Sequence, residues 1–409
     1  MQKKALVLAI GAAFVIQGAF AQKKGGDKEE KSEPDSVVEL YGKVYPELVF
    51  PSGKGATGTG QATCTICGAA EGENAIIRRT EMESSNSRFG VRGHEKIGAG
   101  LKAIYQLETQ FLVDSNTTSF AQRDSFVGIA HDRWGTVKLG RMDTPFKEYG
   151  DDVSFLGVSS GNFTSTSGIF RHIGFGTQNN AARFHERRVN VVQYESPDLG
   201  PFDFKVQYST NENKTATRDP HVLSMGAKWE SGPFAVLVGY EIHYDLFGLS
   251  LNAPTAMRNN NDQSVRSKDY ATSIAFKYKI GVHQFEFDAN RKKYDEPVSI
   301  AGRVRSYQNN AYEFIWDARW SNQWRTAVEY VKATAGKCSV VAQDCNTNGL
   351  DGEQWQVGVA YHFSRRTYLF LMASLVKNGY SAVYNNSAQQ SPNPGEDIRQ
   401  VGLGIHTAF

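Results

Sequence analysis

Beyond its first twenty residues the chain has no continuous apolar run near the 18 residues that a membrane-crossing helix needs. Mean hydropathy is −0.44. Helical membrane spans are thereby excluded. A barrel is not, because its strands carry apolar residues only at alternate positions. Charge of one sign is lacking too: 45 Lys and Arg stand against 43 Asp and Glu. A chain this close to neutral gives no electrostatic argument for nucleic acid. Cysteine is scarce, with four in 409 residues. No His-x-His and no second Cys-x-x-Cys accompanies Cys64 and Cys67, so the local sequence does not supply four zinc ligands. The Gly-rich stretch from Ser52 to Gly60 lacks the spacing of a phosphate-binding loop and reads as a flexible connection. No Ser, His and Asp set is brought together by the sequence. No catalytic, cofactor-binding or metal-binding residue is therefore assigned, and the chain is not read as an enzyme.

What is present begins with a leader. Met1–Lys4 is basic, Ala5–Phe20 is apolar apart from Gly11 and Gln17, and Ala19-Phe20-Ala21 is a small-x-small cleavage site. Residues 1–21 are read as a secretory signal peptide. Residues 22–36 hold no aliphatic or aromatic side chain and read as a charged, disordered extension. Residues 37–409 form the ordered part. Export through an oxidising compartment favours two local disulfides, Cys64–Cys67 and Cys338–Cys345, over a redox or metal role. The loops carrying them leave from well-separated strands, so each bridge is expected to stay within its own loop.

Period two dominates the ordered part. Tyr312, Phe314, Trp316, Ala318 and Trp320 alternate with Glu313, Asp317 and Arg319, and Trp355, Val357, Val359, Tyr361 and Phe363 alternate with Gln354, Gln356 and His362. Sixteen such segments start near Val37, Asn86, Leu101, Gln122, Thr136, Arg187, Phe202, His221, Phe234, Lys268, Val282, Asn310, Trp324, Glu353, Thr367 and Arg399. Their connections alternate between short turns and long loops. The long ones include Pro51–Ser85, Asp143–Glu186, Asp245–Ser267, Gly336–Gly352 and Gly379–Ile398. Charged residues set repeatedly opposite aromatic faces, over strands of about ten residues, point to an all-β transmembrane antiparallel barrel of sixteen strands. Trp134, Tyr194, Tyr208, Trp229, Tyr244, Tyr278, Trp320, Trp324, Trp355, Tyr361 and Tyr368 are expected in its interfacial girdles. An even strand number puts both termini on the short-turn side, the periplasmic one.

Several stretches resemble one family. They are Leu40-Tyr41-Gly42, Ser87–Gly93, Gly100–Glu108, Arg123–Gly128, Gly135–Arg141 and Asn190–Pro197, with Phe409 closing a C-terminal strand. Together they resemble a Gram-negative trimeric general porin of the 16-stranded, beta-proteobacterial type. The resemblance implies a water-filled channel of the cell outer membrane for passive diffusion of small hydrophilic solutes and ions. It implies a homotrimer, contact with outer-membrane lipid and lipopolysaccharide, and a terminal Phe409 read by the barrel-assembly machinery. It implies no cofactor. It also implies that the third long loop, Asp143–Glu186, folds inward and narrows the pore against basic wall residues.

Parity puts Arg88, Arg92 and Arg187 on the polar face of their strands. Arg141 shares parity with Val137 and Leu139, and the adjacent Gly140 offers a bulge that would re-aim it. The candidate constriction sets these four arginines across from Asp143, Glu148, Asp151 and Asp152, with a weak preference for anions. The alternatives are a solute-specific porin with saturable binding, a barrel adhesin, and a barrel enzyme.

Overall fold

Alternation of apolar and polar residues becomes a closed antiparallel barrel. The computed structural model describes residues 34–409 except 62, 85, 116–119, 151–154, 156–162, 211 and 388. The expected signal peptide and nearly all of the charged extension lie outside the described residues. Strand β1 has two stretches, Ser36–Val44 and Glu47–Lys54. Then follow β2 (Arg88–Gly98), β3 (Leu101–Gln110), β4 (Ser125–His131), β5 (Gly135–Asp143), β6 (Arg187–Glu195), β7 (Phe202–Thr210) and β8 (His221–Ser231). The rest are β9 (Phe234–Tyr244), β10 (Lys268–Ile280), β11 (His283–Asp295), β12 (Val304–Arg319), β13 (Trp324–Ala333), β14 (Gly352–His362), β15 (Thr367–Asn378) and β16 (Asp397–Ala408). Each pairs antiparallel with its sequence neighbours. The count of sixteen is as expected, and fifteen of the starts fall within three residues of those read from the sequence.

The seam is made by β1. Its first stretch pairs with β2 from Ser36↔Glu95 to Lys43↔Arg88, and its second pairs with β16 from Glu47↔Gly404 to Lys54↔Asp397. The last residue completes the closure. Phe409 N–H donates to Gly42 O at 3.0 Å, and Gly42 N–H donates to Phe409 O at 3.2 Å. A side chain at position 42 would meet the Phe409 ring, since a Cβ there would lie 2.6 Å from it.

Along most strands one face is exposed and largely apolar, and the other is largely buried. On β10, Ile274 and Phe276 are exposed whereas Ala271 and Ala275 are not. Seven short turns stand opposite eight longer connections. Gly232 and Gly281 supply the positive φ that two of the tight turns require, at 57° each. Tyr368 departs from the expected girdle. It lies on the inner face, stacked on His406 with ring centroids 4.5 Å apart, because its buried neighbour Phe370 shares its parity.

Both expected disulfides are formed, Cys64–Cys67 and Cys338–Cys345. Their loops are not kept apart, however. Thr65 N–H donates to Asn346 O at 3.0 Å, and both bridges join one apolar cluster with Ile173, Phe175, Tyr307 and Leu350. Apolar burial beneath the long connections draws together loops that start from distant strands.

Candidate functional site

The inner face is polar, and described residues between 144 and 186 make contacts with it. Thr144 caps a four-residue helix, α1 (Pro145–Glu148), through its side chain. Phe146 N–H donates to Ser224 Oγ of β8 at 3.0 Å. Two glycines let this segment lie close to the wall. A Cβ at Gly226 would come 2.2 Å from the Tyr149 ring, and one at Gly239 would come 3.0 Å from Phe146. Farther round, Gln356 of β14 donates to Thr164 O at 2.8 Å, and Thr166 donates to Glu313 of β12. The second helix, α2 (Ser167–Phe170), ends on Lys292 of β11, whose ammonium donates to Phe170 O at 2.9 Å and Ile169 O at 3.2 Å. A cation at a helix C-terminus is favourably placed. Phe163 lies against Gly402 of β16.

Arg171 holds the segment to itself. It is fully buried, donates to Gly150 O at 3.0 Å, and stacks on Phe146 and Phe170 with its guanidinium 4.4 and 4.7 Å from the ring centroids. Two histidines lie in the same segment. Burial pushes His172 down to about 4 and His185 well below the usual histidine range. Both are therefore neutral at pH 7.

Ion pairs organise the wall from β1 to β7. Arg187 bridges Asp124 and Asp143, the latter at 2.9 Å, and Lys147 adds a 3.0 Å contact to Asp143. Glu108 receives Arg123, Arg88 at 3.8 Å and the Tyr41 hydroxyl at 3.0 Å. Deeper along the wall, Lys138 meets Glu195 at 2.7 Å, and Lys205 joins Glu195 at 3.7 Å to Glu148 at 2.7 Å.

The arginines and acids singled out from the sequence thus do not form one cluster. Arg187 and Asp143 are direct cross-strand partners. Arg88 meets Glu108 at 3.8 Å instead, and Arg141 sits at a register shift between Gly140 and Met142. Arg92 is apart from these, paired with Glu39 at 2.8 Å. Glu148 is held by Lys205 rather than by an arginine. Asp151 and Asp152 lie outside the described residues. Sequence reasoning passed over Glu108, Arg123, Lys138, Glu195 and Lys205. Parity alone would have marked Lys138, whose neighbours Val137 and Leu139 face out. It also passed over the acids of the far wall, where Arg325 makes 2.9 Å contacts with both carboxylate oxygens of Asp317. Among the described residues, no group of acidic, His or Cys side chains could hold a metal ion.

A closed sixteen-stranded antiparallel barrel with an apolar exterior and a polar, charged interior is a membrane channel protein. Residues 5–380 match the family model described as Gram-negative porin, and the chain belongs to that family. It is 25% identical over 319 residues to the major outer membrane protein P.IB of Neisseria gonorrhoeae, covering 74% of this chain and 81% of that one. It is 27% identical over 175 residues to an outer membrane porin protein of Bordetella pertussis, covering 38% and 42%. Among solved structures it resembles the anion-selective porin from Comamonas acidovorans with a TM-score of 0.66 at 19% identity, covering 91% of this chain and all of that one. The trimer form of OmpT from Vibrio cholerae gives a TM-score of 0.61 at 15% identity, covering 92% of this chain and all of that one. The protein is an outer-membrane porin, a water-filled channel for passive diffusion of small hydrophilic solutes and ions. Family and fold point to a channel rather than an enzyme.

Proposed function

We propose that the segment 144–186 narrows the channel and that solutes pass between it and the wall of β1–β4. The observation that carries this is the distribution of its contacts. The described contacts run along β7–β9, β11–β14 and β16, while on the first wall Lys43, Arg88, Arg92 and Arg123 share the inner face with Glu39, Glu47 and Glu108, and Asp124 is taken up by Arg187. Such a passage favours anions weakly, and its field biases ions that travel within a Debye length, about 8 Å at physiological salt. The anion-selective neighbour from Comamonas is in keeping with this. The long loops face the cell exterior and the termini the periplasm, Phe409 serves as the assembly signal, and the working unit is a homotrimer. Single-channel recording in a salt gradient tests the reading. A reversal potential of anionic sign that fades near 1 M salt supports it, and a cationic sign or saturable solute block would replace it with another kind of channel.

A further inference from the structure

Aromatic side chains belong at the outer rims of such a barrel, yet His362, Tyr368, His406 and Tyr45 stand in one row on its inner face. His362 pairs with Tyr368 and Tyr368 with His406, and Thr407 is opposite Val44, which sets His406 opposite Tyr45. The row thus crosses β14, β15, β16 and β1. Its ring centroids follow at 4.7 Å from His362 to Tyr368, 4.5 Å to His406 and 5.8 Å to Tyr45. The first two spacings match the distance between neighbouring strands, and the planes of Tyr368 and His406 are only 14° apart. These two rings are therefore stacked from strand to strand and turn their edges to the lumen. The ends of the row, His362 and Tyr45, are buried, and Tyr45 is stacked on Phe370 at 4.8 Å. Tyr368 and His406 between them are half-buried. His406 is fixed through Nδ1, which donates to Arg366 O at 3.2 Å. The Tyr368 hydroxyl has no hydrogen-bond partner among the described residues.

Cations bracket the row. Lys43 is two residues from Tyr45 on the same face, with its ammonium 5.1 Å from that ring, and Arg319 stands opposite Arg325 at the other end. Of the carboxylates nearby, Asp317 is taken by Arg325, Glu108 is taken by Arg123 and Arg88, and Glu47 is buried opposite Glu83. Lys43 and Arg319 make no ion pair among the described residues. Phe163 meets Gly402 and Phe155 meets Gly358, each glycine four residues nearer the long loops than His406 and His362. The row therefore lies just to the short-turn side of the narrowing segment. We propose that it is a binding site for aromatic carboxylates. Ring edges are positive and ring faces negative, so a solute ring laid against the edges of Tyr368 and His406 makes the favoured edge-to-face contact. Its carboxylate is met by the Tyr368 hydroxyl and the Lys43 ammonium, or by Arg319 when the solute is reversed. An aliphatic acid lacks the first contact and a neutral arene the second. The inference deepens the channel reading and rests on it, because the row is reached only through the lumen.

The experiment records chloride current through the full-length protein in planar bilayers while benzoate, cyclohexanecarboxylate or benzamide is added. In wild type the half-blocking concentration of benzoate is expected to lie about threefold or more below that of either other probe. Y368L/H406L should bring benzoate and cyclohexanecarboxylate together, whereas Y368F, which keeps the ring, should hold them apart. K43Q/R319Q should bring benzoate and benzamide together. Y361L, on the outer face of β14, should leave the benzoate preference as it is. Urea midpoints establish that each variant is folded, and the wild-type comparison needs no variant. Equal block of wild type by cyclohexanecarboxylate would mean that charge alone is read, and equal block by benzamide that charge is not read; either overturns the proposal. So does a benzoate preference that survives Y368L/H406L in the folded protein. The reversal potential in a chloride gradient is read in the same bilayers. If its sign is anionic while the three probes block alike, this inference fails and the channel reading stands. If its sign is cationic while benzoate block depends on Tyr368 and His406, the anion preference fails and the aromatic site stands.

Discussion

At the scale of single residues, strand parity made the direction of a side chain legible but not its partner. Arg88, Arg92 and Arg187 read as inward-facing because each alternates with Phe, Val or Tyr. What each one meets depends on neighbouring strands that sequence order does not align. Arg187 thus turns out to be an anchor between two carboxylates, with its side chain only 12% exposed. Arg88 is looser, at 34%, and sees Glu108 at 3.8 Å. The two should therefore respond differently to truncation. Arg187→Ser leaves Asp124 and Asp143 without their shared cation, which costs about 3 kcal/mol when a largely buried pair is broken. It should lower the urea midpoint of the detergent-folded barrel. Arg88→Ser should leave that midpoint unchanged and move the reversal potential towards cations, most strongly in dilute salt. Equal stability losses for both would contradict this division of roles.

At the scale of elements, the strands were legible because a barrel wall demands strict alternation over each crossing. Two boundaries were not. The start of β12 reads as Asn310 but lies at Val304, because Ser306 and Gln308 leave the outward face without apolar residues and the stretch is held by a short strand of the following loop, Lys337–Val340. Pro51 reads as the start of a loop but sits inside β1. There the strand has β16 on one side and, beyond Val49, no described strand on the other, and an edge position tolerates proline. The meeting of the two disulfide loops had no signal in the sequence, since it arises from burial among loops of distant origin. The wall contacts of the described residues between 144 and 186, read as docking in the proposed function, make two predictions. Gly226→Leu would force its side chain into Tyr149 and the carbonyl of Pro145, an overpacking of about 1–3 kcal/mol. It should displace α1 and change single-channel conductance while the barrel stays folded. Acid should act on the same contact. His172 is held neutral at a value near 4, against about 6.5 for a free imidazole. A detached segment therefore binds a proton more readily than a docked one. Docking is unaffected above pH 6.5 and weakens as pH falls from 6.5 towards 4, by about 2.5 kcal/mol at pH 4.5 from this residue alone. Conductance noise or protease access at residues 144–186 should rise across that window. His172→Phe should flatten the response, and an unchanged response would assign the acid sensitivity elsewhere.

At the scale of the whole molecule, the outer wall is divided in two. β9–β14 present aromatic side chains to their surroundings, among them Phe276, Phe287, Tyr312, Phe314, Trp324 and Trp355, all exposed. On β2–β5 most outward positions are aliphatic, Val91, Leu107, Val127, Ile129, Val137 and Leu139 among them, with Phe89 and Tyr105 as aromatic exceptions. These strands are also short, with seven residues in β4 and nine in β5 against thirteen in β10 and β11. A wall that meets lipid headgroups gains from aromatic girdles, whereas aliphatic side chains can interdigitate closely with a neighbouring barrel. In the proposed homotrimer the interface is expected on β2–β5, and the face opposite is left to lipid. Two tryptophan substitutions separate the surfaces. Ile129→Trp would overfill a packed interface and should shift native mass in detergent from trimer to monomer. Ile274→Trp would place an indole against lipid, where its ring is tolerated, and should leave the trimer intact. Single-channel conductance per barrel should be preserved in both, because neither side chain reaches the lumen. A trimer that survives Ile129→Trp but dissociates with Ile274→Trp would place the contact on the aromatic side and reverse the assignment.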